Sequence, residues 1–187
     1  MLKNKKIILA IAAISLLSIV YLVYISLSGR GDTNQKTKIP ETGASYNSLT
    51  PGISTEDDVI GQMGTAVKEN RSDTLTTLEY ESNNPNFNNQ FSIDSGILTL
   101  VKQIVSSKDD ITISDINEKY GNYENVLYKS SSYSGFNLYI YPDKGISYIG
   151  HQGSGIVLEI WYFKPMTFNE FKTNFGQAFS ENPVEGQ

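Results

Sequence analysis

The sequence predicts an α+β fold of two tandem helix-plus-antiparallel-meander repeats, preceded by one transmembrane helix. Three observations support this prediction: a long run without charge near the N-terminus, short motifs that recur at a nearly constant offset, and apolar strand-like segments after each motif. Together they divide the 187-residue chain into a cytoplasmic tail 1–6, a transmembrane helix 7–27, a flexible linker 28–48, repeat one 49–107, repeat two with a C-terminal helix 108–180, and a tail 181–187.

The first apolar segment has the length and flanking charges of a membrane anchor. Ile7 to Leu27 contains 21 residues without a charge or a proline. At about 1.5 Å per residue such a helix spans roughly 30 Å, the thickness of the bilayer hydrocarbon. Lys3, Lys5 and Lys6 precede it, and the positive-inside rule keeps them in the cytoplasm. We therefore expect a single-pass cytoplasmic-membrane protein with its N-terminus inside and its domain extracytoplasmic.

A cleaved signal peptide is the competing interpretation of this segment. Ser26-Leu27-Ser28 has the small-x-small form of a cleavage site. The apolar run is longer than the usual signal-peptide core of about 7–15 residues, which favours an uncleaved anchor. The polar stretch 28–48 contains Gly29, Gly31, Pro40 and Gly43 and few large apolar residues, so it is predicted to be a flexible linker.

Paired motifs within the remaining residues predict an internal duplication. Ser54-Thr55-Glu56-Asp57 and Thr112-Ile113-Ser114-Asp115 both have the spacing of a helix capping box. Gly64 and Gly121 stand where each short helix would end, and Ser95-Gly96-Ile97 and Ser154-Gly155-Ile156 each open an apolar strand. The offset between the two members is nearly the same for all three pairs, which is typical of a tandem repeat.

Apolar and β-branched segments then predict the strands of each meander. The predicted strands are Thr74–Glu81, Asn89–Ile93, Ile97–Val105, Asn125–Lys129, Phe136–Tyr141, Ile146–Ile149 and Ile156–Phe163. Thr167-Phe168-Asn169-Glu170 is a third capping box, and four phenylalanines at helical spacing follow the start of this last helix: Phe168, Phe171, Phe175 and Phe179. This stripe indicates a helix face that packs in the core rather than a ligand site.

The run from Leu49 to Val59, followed by Gly64, resembles the opening of SmpA/OmlA-like domains. The tandem arrangement also resembles the beta-lactamase-inhibitor-protein-like fold, in which two helix-plus-meander units share a sheet. The resemblance covers about residues 49–180 and implies outer-membrane assembly or enzyme-inhibiting relatives. This chain lacks the lipidated cysteine of the former and the disulfides of the latter, so no functional residue is carried over.

Charge and composition exclude several classes of function. Without the three N-terminal lysines, twelve basic residues remain against 20 acidic ones, a net charge of −8 that repels nucleic acid. The chain has no cysteine and one histidine, His151, so metal sites built on cysteine and histidine are not expected. We predict no cofactor and no metal ion. We also predict no catalytic residue, and His151 is expected to be a solvated loop residue rather than part of a Ser/His/Asp arrangement.

Aromatic residues concentrate in the second predicted repeat. Alternation along Phe136–Tyr141 and Ile156–Phe163 assigns their aliphatic residues to the core. The opposite, open face would then carry the candidate binding residues Tyr139, Tyr141, Glu159 and Trp161. Cross-strand aromatic packing explains the same pattern without any binding role, and both interpretations stay open at this point.

The function predicted from these features is a membrane-tethered, non-catalytic protein-interaction or scaffold module of a bacterial envelope. Its partners would be the membrane, through residues 7–27, and another protein. Two alternatives are an envelope enzyme or carbohydrate-binding protein that uses the aromatic face, and a subunit of an envelope assembly or filament.

Overall fold

The computed structural model describes residues 42–129 and 135–183. These residues contain nine antiparallel strands and three short α-helices. The helices are α1 (Glu56–Met63), α2 (Ile113–Tyr120) and α3 (Phe168–Asn174), and a short 3-10 helix spans Pro142–Lys144. The strands are β1 (Lys68–Arg71), β2 (Leu75–Tyr80), β3 (Asn89–Asp94), β4 (Ile97–Ile104), β5 (Asn125–Lys129), β6 (Phe136–Tyr141), β7 (Ile146–His151), β8 (Ile156–Phe163) and β9 (Phe179–Ser180).

Each helix begins at a threonine capping box, which satisfies backbone N–H groups that have no partner within the helix. In α2 the Thr112 hydroxyl accepts a hydrogen bond from the backbone N–H of Asp115, and the Asp115 carboxylate accepts one from the N–H of Thr112. Thr167 and Glu170 do the same for α3. The first box lies one residue later than predicted, at Thr55, because the Ser54 hydroxyl instead accepts from the N–H of Thr50.

All nine strands join one continuous sheet in the order β1-β2-β3-β4-β8-β7-β6-β5-β9. At its centre, residues 100–104 of β4 pair antiparallel with residues 159–163 of β8. In the pairing of β7 with β8, Ile149 lies opposite Glu159 and Gly150 opposite Val157, so Leu158 is an extra residue in β8. This β-bulge reverses the alternation of side chains along the strand.

Both faces of the central and C-terminal strands are covered. On one face, α1 and α2 pack against the sheet together with residues 44–49, burying Val59 and Ile116. On the other face, α3 places Phe171 against residues from β4, β5, β6 and β8, and the remaining phenylalanines of the predicted stripe pack around the same cluster: Phe168, Phe175 and Phe179. The prediction that these phenylalanines pack in the core is therefore confirmed, but the prediction that all four lie on one helix is wrong, because α3 ends at Asn174 and Phe179 lies in β9.

The predicted fold of two tandem helix-plus-meander repeats is wrong. The strands form one nine-stranded antiparallel sheet, because β4 and β8 hydrogen-bond to each other along five residue pairs. The two predicted repeats also share a core, since Phe171 packs in a cluster that includes Leu100 of β4 and Leu127 of β5. The helices are also only seven or eight residues long, so the described chain is mainly a sheet protein.

The described domain begins before residue 49, earlier than the predicted end of the linker. Ala44 is buried and its N–H donates to the carbonyl oxygen of Lys144, while the Tyr46 ring lies 5.8 Å from that of Phe91. Within residues 42–129 and 135–183, none of the helices has the length and apolar character needed to cross a membrane. The predicted transmembrane helix 7–27 lies outside the described residues.

Two edge strands have no counterpart in the predicted elements. Lys68–Arg71 carries three charged residues and is fully exposed, so its sequence has no apolar alternation. Pairing with β2 holds it in place, assisted by ion pairs from Lys68 to Glu79 and from Arg71 to Glu56. At the opposite edge, β9 consists of two residues that pair with Tyr128 and Lys129.

Candidate functional site

The four predicted binding residues lie on two different faces of the sheet. Tyr139 and Tyr141 face α2, whereas Trp161 faces α3. Their side chains are buried, with exposed fractions of 5% for Tyr139, 1% for Tyr141 and 3% for Trp161. The hypothesis of one open aromatic face is therefore wrong, because helices cover both faces of this half of the sheet. Only Glu159 is partly exposed.

Tyr139 and Tyr141 belong to a cluster of tyrosines beneath α2. The Tyr139 ring stacks on its cross-strand neighbour Tyr148 at a centroid distance of 5.0 Å, and Tyr123 meets it edge-on at 4.7 Å. The Tyr141 hydroxyl donates to Asn117 Oδ1 on α2 at 2.7 Å. Burial raises the pKa of Tyr141 to about 12, so the phenol stays neutral and anchors the helix to the sheet.

Trp161 joins a mixed cluster on the other face. Its Nε1–H donates to Glu159 Oε2 at 2.8 Å, and the ammonium nitrogen of Lys102 lies 4.2 Å from the centre of its ring. Burial lowers the pKa of Lys102, and the nearby Glu159 carboxylate partly opposes this shift. Lys102 makes no hydrogen bond or ion pair among the described residues, so its ammonium depends on the ring and on more distant charge.

A largely apolar cavity of about 330 Å³ lies next to Glu159. Its volume is near the lower end of the roughly 300–1,000 Å³ typical of ligand pockets. Its apolar lining comes from four strands, the residue that follows β4 and one loop: Phe87, Ile104, Val105, Phe136, Ile149 and Leu158. Glu159, Lys129 and Asn84 supply the polar groups. Phe87 and Leu158 remain 60% and 37% exposed, so this cavity offers uncovered apolar surface to solvent.

A hydrogen-bonded asparagine-rich loop holds Phe87 at the rim of this cavity. The Ser82 hydroxyl donates to the carbonyl oxygen of Phe87 at 2.7 Å, and the Phe87 N–H donates to the carbonyl oxygen of Asn84. The Asn84 side chain in turn accepts from the N–H of Asn86. Asparagine and serine side chains commonly close such turns through the backbone. The loop therefore presents an aromatic ring to solvent from a defined backbone.

His151 forms a local turn with Ser154. The Ser154 N–H donates to His151 Nδ1 at 3.0 Å, and the Ser154 hydroxyl lies 2.9 Å from the same nitrogen. The ring also lies 5.3 Å from that of Phe136. Because one ring nitrogen serves this turn, the pair has the geometry of a turn cap. Among the described residues, no group of three or more histidine or carboxylate side chains has the arrangement of a metal site.

The sequence predictions missed Phe87 and Lys102 as site residues. Phe87 is the one aromatic residue in the segment Ser82-Asn83-Asn84-Pro85-Asn86-Phe87-Asn88-Asn89, and a large apolar residue in so polar a loop is a usable signal. Lys102 is the one charged residue in the predicted strand 97–105, and a charge within an otherwise largely apolar strand is a usable signal. The bulge at Leu158 gave no sequence signal that we identify.

Comparison with known proteins adds one structural similarity. No family model matches the sequence, and no curated protein matches it. The chain is similar to the crystal structure of a DUF4309 family protein (YjgB) from Bacillus subtilis subsp. subtilis str. 168, with a TM-score of 0.42 and 13% sequence identity, over 63% of this chain and 82% of that chain. The resemblance to SmpA/OmlA-like and beta-lactamase-inhibitor-protein-like domains is not confirmed by these comparisons.

Proposed function

We propose that this protein is a membrane-tethered, extracytoplasmic interaction module without catalytic activity, and that it binds another envelope protein through the cavity beside Phe87 and Glu159. The exposed apolar lining of this cavity is the observation that carries the proposal. Residues 7–27 would be the tether, as predicted from their length and lack of charge.

The cavity suits a protein segment with an apolar anchor side chain. Phe87 and Leu158 expose apolar surface that association would remove from water, and this is the dominant favourable term in most protein–protein contacts. Interface hot spots commonly consist of an apolar anchor that fills such a pocket, surrounded by polar groups. Here Glu159 and Asn84 supply acceptors beside the apolar lining.

Charge favours a partner surface that is neutral or basic. Beyond the first six residues the chain has a net charge of −8. One carboxylate oxygen of Glu159 accepts from Trp161, and the other accepts no hydrogen bond among the described residues. A backbone N–H or a cationic side chain of the partner, next to the apolar anchor, would complete the hydrogen bonding of Glu159. Acidic surfaces would be repelled.

Site-specific photocrosslinking in intact cells tests this proposal. A photoreactive phenylalanine analogue at position 87 should yield a defined adduct with one envelope protein. The same analogue at Tyr123, an exposed aromatic position away from the cavity lining, serves as the matched control and should not yield that adduct. With the captured partner purified, Phe87→Ala should weaken binding roughly thirtyfold, which corresponds to about 2 kcal/mol. Equal adducts from both positions, or unchanged affinity, would refute the proposal.

A further inference from the structure

A second cavity, of about 610 Å³, lies where the sheet emerges from under α3. Its floor is formed by β2, β3 and β4, and one wall is the C-terminal end of α3 with the residues that follow. It shares no lining residue with the cavity beside Phe87. The two cavities are therefore separate candidate sites.

The lining of this groove is rich in uncharged hydrogen-bonding groups. Hydroxyls come from Ser92, Thr99 and Thr173, and amides come from Asn174 and Gln177. The Ser92 hydroxyl and the Asn174 amide make no hydrogen bond to other described residues. The Thr99 hydroxyl donates to the carbonyl oxygen of Ser92 at 3.0 Å, which leaves its oxygen able to accept. Such a lining suits a ligand with many hydroxyl groups, each able to donate and to accept.

Two charges of opposite sign exclude a strongly charged occupant. Asp94 and Lys102 both line the groove. A polyanion would meet Asp94 and the net negative charge of the chain, and a polycation would meet Lys102. Lys102 supplies three N–H donors that have no acceptor among the described residues, so a ligand carbonyl or hydroxyl oxygen would meet an unused donor.

Apolar surface lies close to these donors. Leu100 and Phe175 line the same groove, and Phe175 is only partly buried. An acetamido group combines a carbonyl oxygen, which accepts from an ammonium or amide N–H, with a methyl group that suits an apolar contact. The groove therefore offers a matched environment for both ends of this substituent.

We propose that the groove formed by Ser92, Lys102, Asn174 and Phe175 binds a neutral oligosaccharide that carries acetamido groups. The amide, hydroxyl and ammonium groups would bind the ring substituents, and Leu100 and Phe175 would contact the acetamido methyl. None of the four binding residues predicted from the sequence lines this groove.

Titration of the full-length chain with defined trisaccharides tests this inference. The protein is held in a detergent without a sugar headgroup, and the probes are N,N′,N″-triacetylchitotriose and cellotriose, which lacks the acetamido groups. Trp161 is the only tryptophan and lies 4.2 Å from the Lys102 ammonium, so its emission should change when a ligand moves that ammonium. Triacetylchitotriose should bind roughly fivefold to tenfold more tightly than cellotriose, as expected for one or two added hydrogen bonds.

Variants separate this site from adventitious binding. Asn174→Ala and Ser92→Ala remove groups without internal partners, so each should retain the wild-type melting temperature and lose most of the affinity. Asn70→Ala, on the exposed strand β1, is the matched control and should bind as the wild type does. Lys102→Met keeps the apolar stem and should abolish the preference for triacetylchitotriose. The inference would be overturned if neither trisaccharide binds. It would also be overturned if Asn70→Ala loses as much affinity as Asn174→Ala and Ser92→Ala do.

Discussion

The ammonium nitrogen of Lys102 lies 4.2 Å from the centre of the Trp161 ring, because the two residues face each other across β4 and β8. Trp161 also donates its Nε1–H to Glu159, so cation, ring and carboxylate form one connected cluster. Glu159 lines the cavity beside Phe87 and Lys102 lines the groove beside Asn174. The buried ring thus separates the two proposed binding sites and positions a charged side chain in each.

Trp161→Ala should severely destabilise the fold. The ring is 3% exposed and lies 6.5 Å from Phe171 and 6.0 Å from Phe179, so its removal leaves a cavity between β8 and α3. The expected loss in the free energy of unfolding is about 3–5 kcal/mol. Urea unfolding measures this loss. The near-ultraviolet circular dichroism of the tyrosines reports the transition, because the variant has no tryptophan.

Phe87→Ala is the matched control for that measurement, since this ring is 60% exposed. Its effect on the free energy of unfolding should stay within about 0.5 kcal/mol. A loss below about 1 kcal/mol for Trp161→Ala would contradict the buried position of the ring.

Acid should weaken the three helix caps. Hydrogen bonds from the capping threonine lower the pKa of Asp58, Asp115 and Glu170 below the ordinary values. A carboxyl group whose pKa is lower in the folded state than in the unfolded state stabilises the fold at pH values above its unfolded pKa. For these residues the unfolded pKa is near 4. This contribution is lost as the pH falls through the lower folded pKa.

The variant Asp58→Asn/Asp115→Asn/Glu170→Gln removes these titrations. Its free energy of unfolding should lie below that of the wild type at pH 7, and the difference should shrink as the pH falls below about 5 and through the pKa values of the folded carboxyl groups. A difference in free energy of unfolding that stays constant over this range would contradict the prediction, because the three carboxylates would then add no pH-dependent stability. Urea unfolding at a series of pH values supplies the measurement.

Gly145→Ala should cost more than Gly155→Ala, although both glycines have positive φ angles of 66° and 73°. A Cβ atom at position 145 would lie 2.2 Å from the carbonyl oxygen of Phe163, whereas nothing lies within 4 Å of one at position 155. We expect a loss of about 1–2 kcal/mol from backbone strain at Gly155 and about 2–4 kcal/mol at Gly145, where a steric clash is added. Equal melting temperatures for the two variants would contradict this difference.

Protease added to intact spheroplasts should digest the domain and leave the anchor in the membrane. This prediction rests on Lys3, Lys5 and Lys6, which precede the uncharged run 7–27 and which the positive-inside rule would keep in the cytoplasm. The intact chain should also retain its N-terminal residues. A mature protein that begins at Gly29 would refute the uncleaved anchor and support cleavage after Ser26-Leu27-Ser28.

Local features were predictable because they depend on neighbouring residues. The capping boxes at Thr112 and Thr167 lie where the sequence placed them, since a cap needs only a hydroxyl and an acid three residues later. The strands Asn125–Lys129, Phe136–Tyr141 and Ile156–Phe163 have the predicted bounds, because their β-branched and aromatic residues favour extended backbone.

Only the tertiary structure decided which side chains are accessible. Trp161 is buried because α3 folds back over β8, and the alternation within β8 does not show which face the following helix covers. The bulge at Leu158 moves Val157 and Ile160 onto the same face, which a simple alternation cannot reveal. The pairing of β4 with β8 joins segments that are distant in sequence into one sheet. Local propensities determined the helix starts and the central strands of this protein, whereas strand pairing placed β1 and β9 at the edges of the sheet and helix coverage decided the candidate sites.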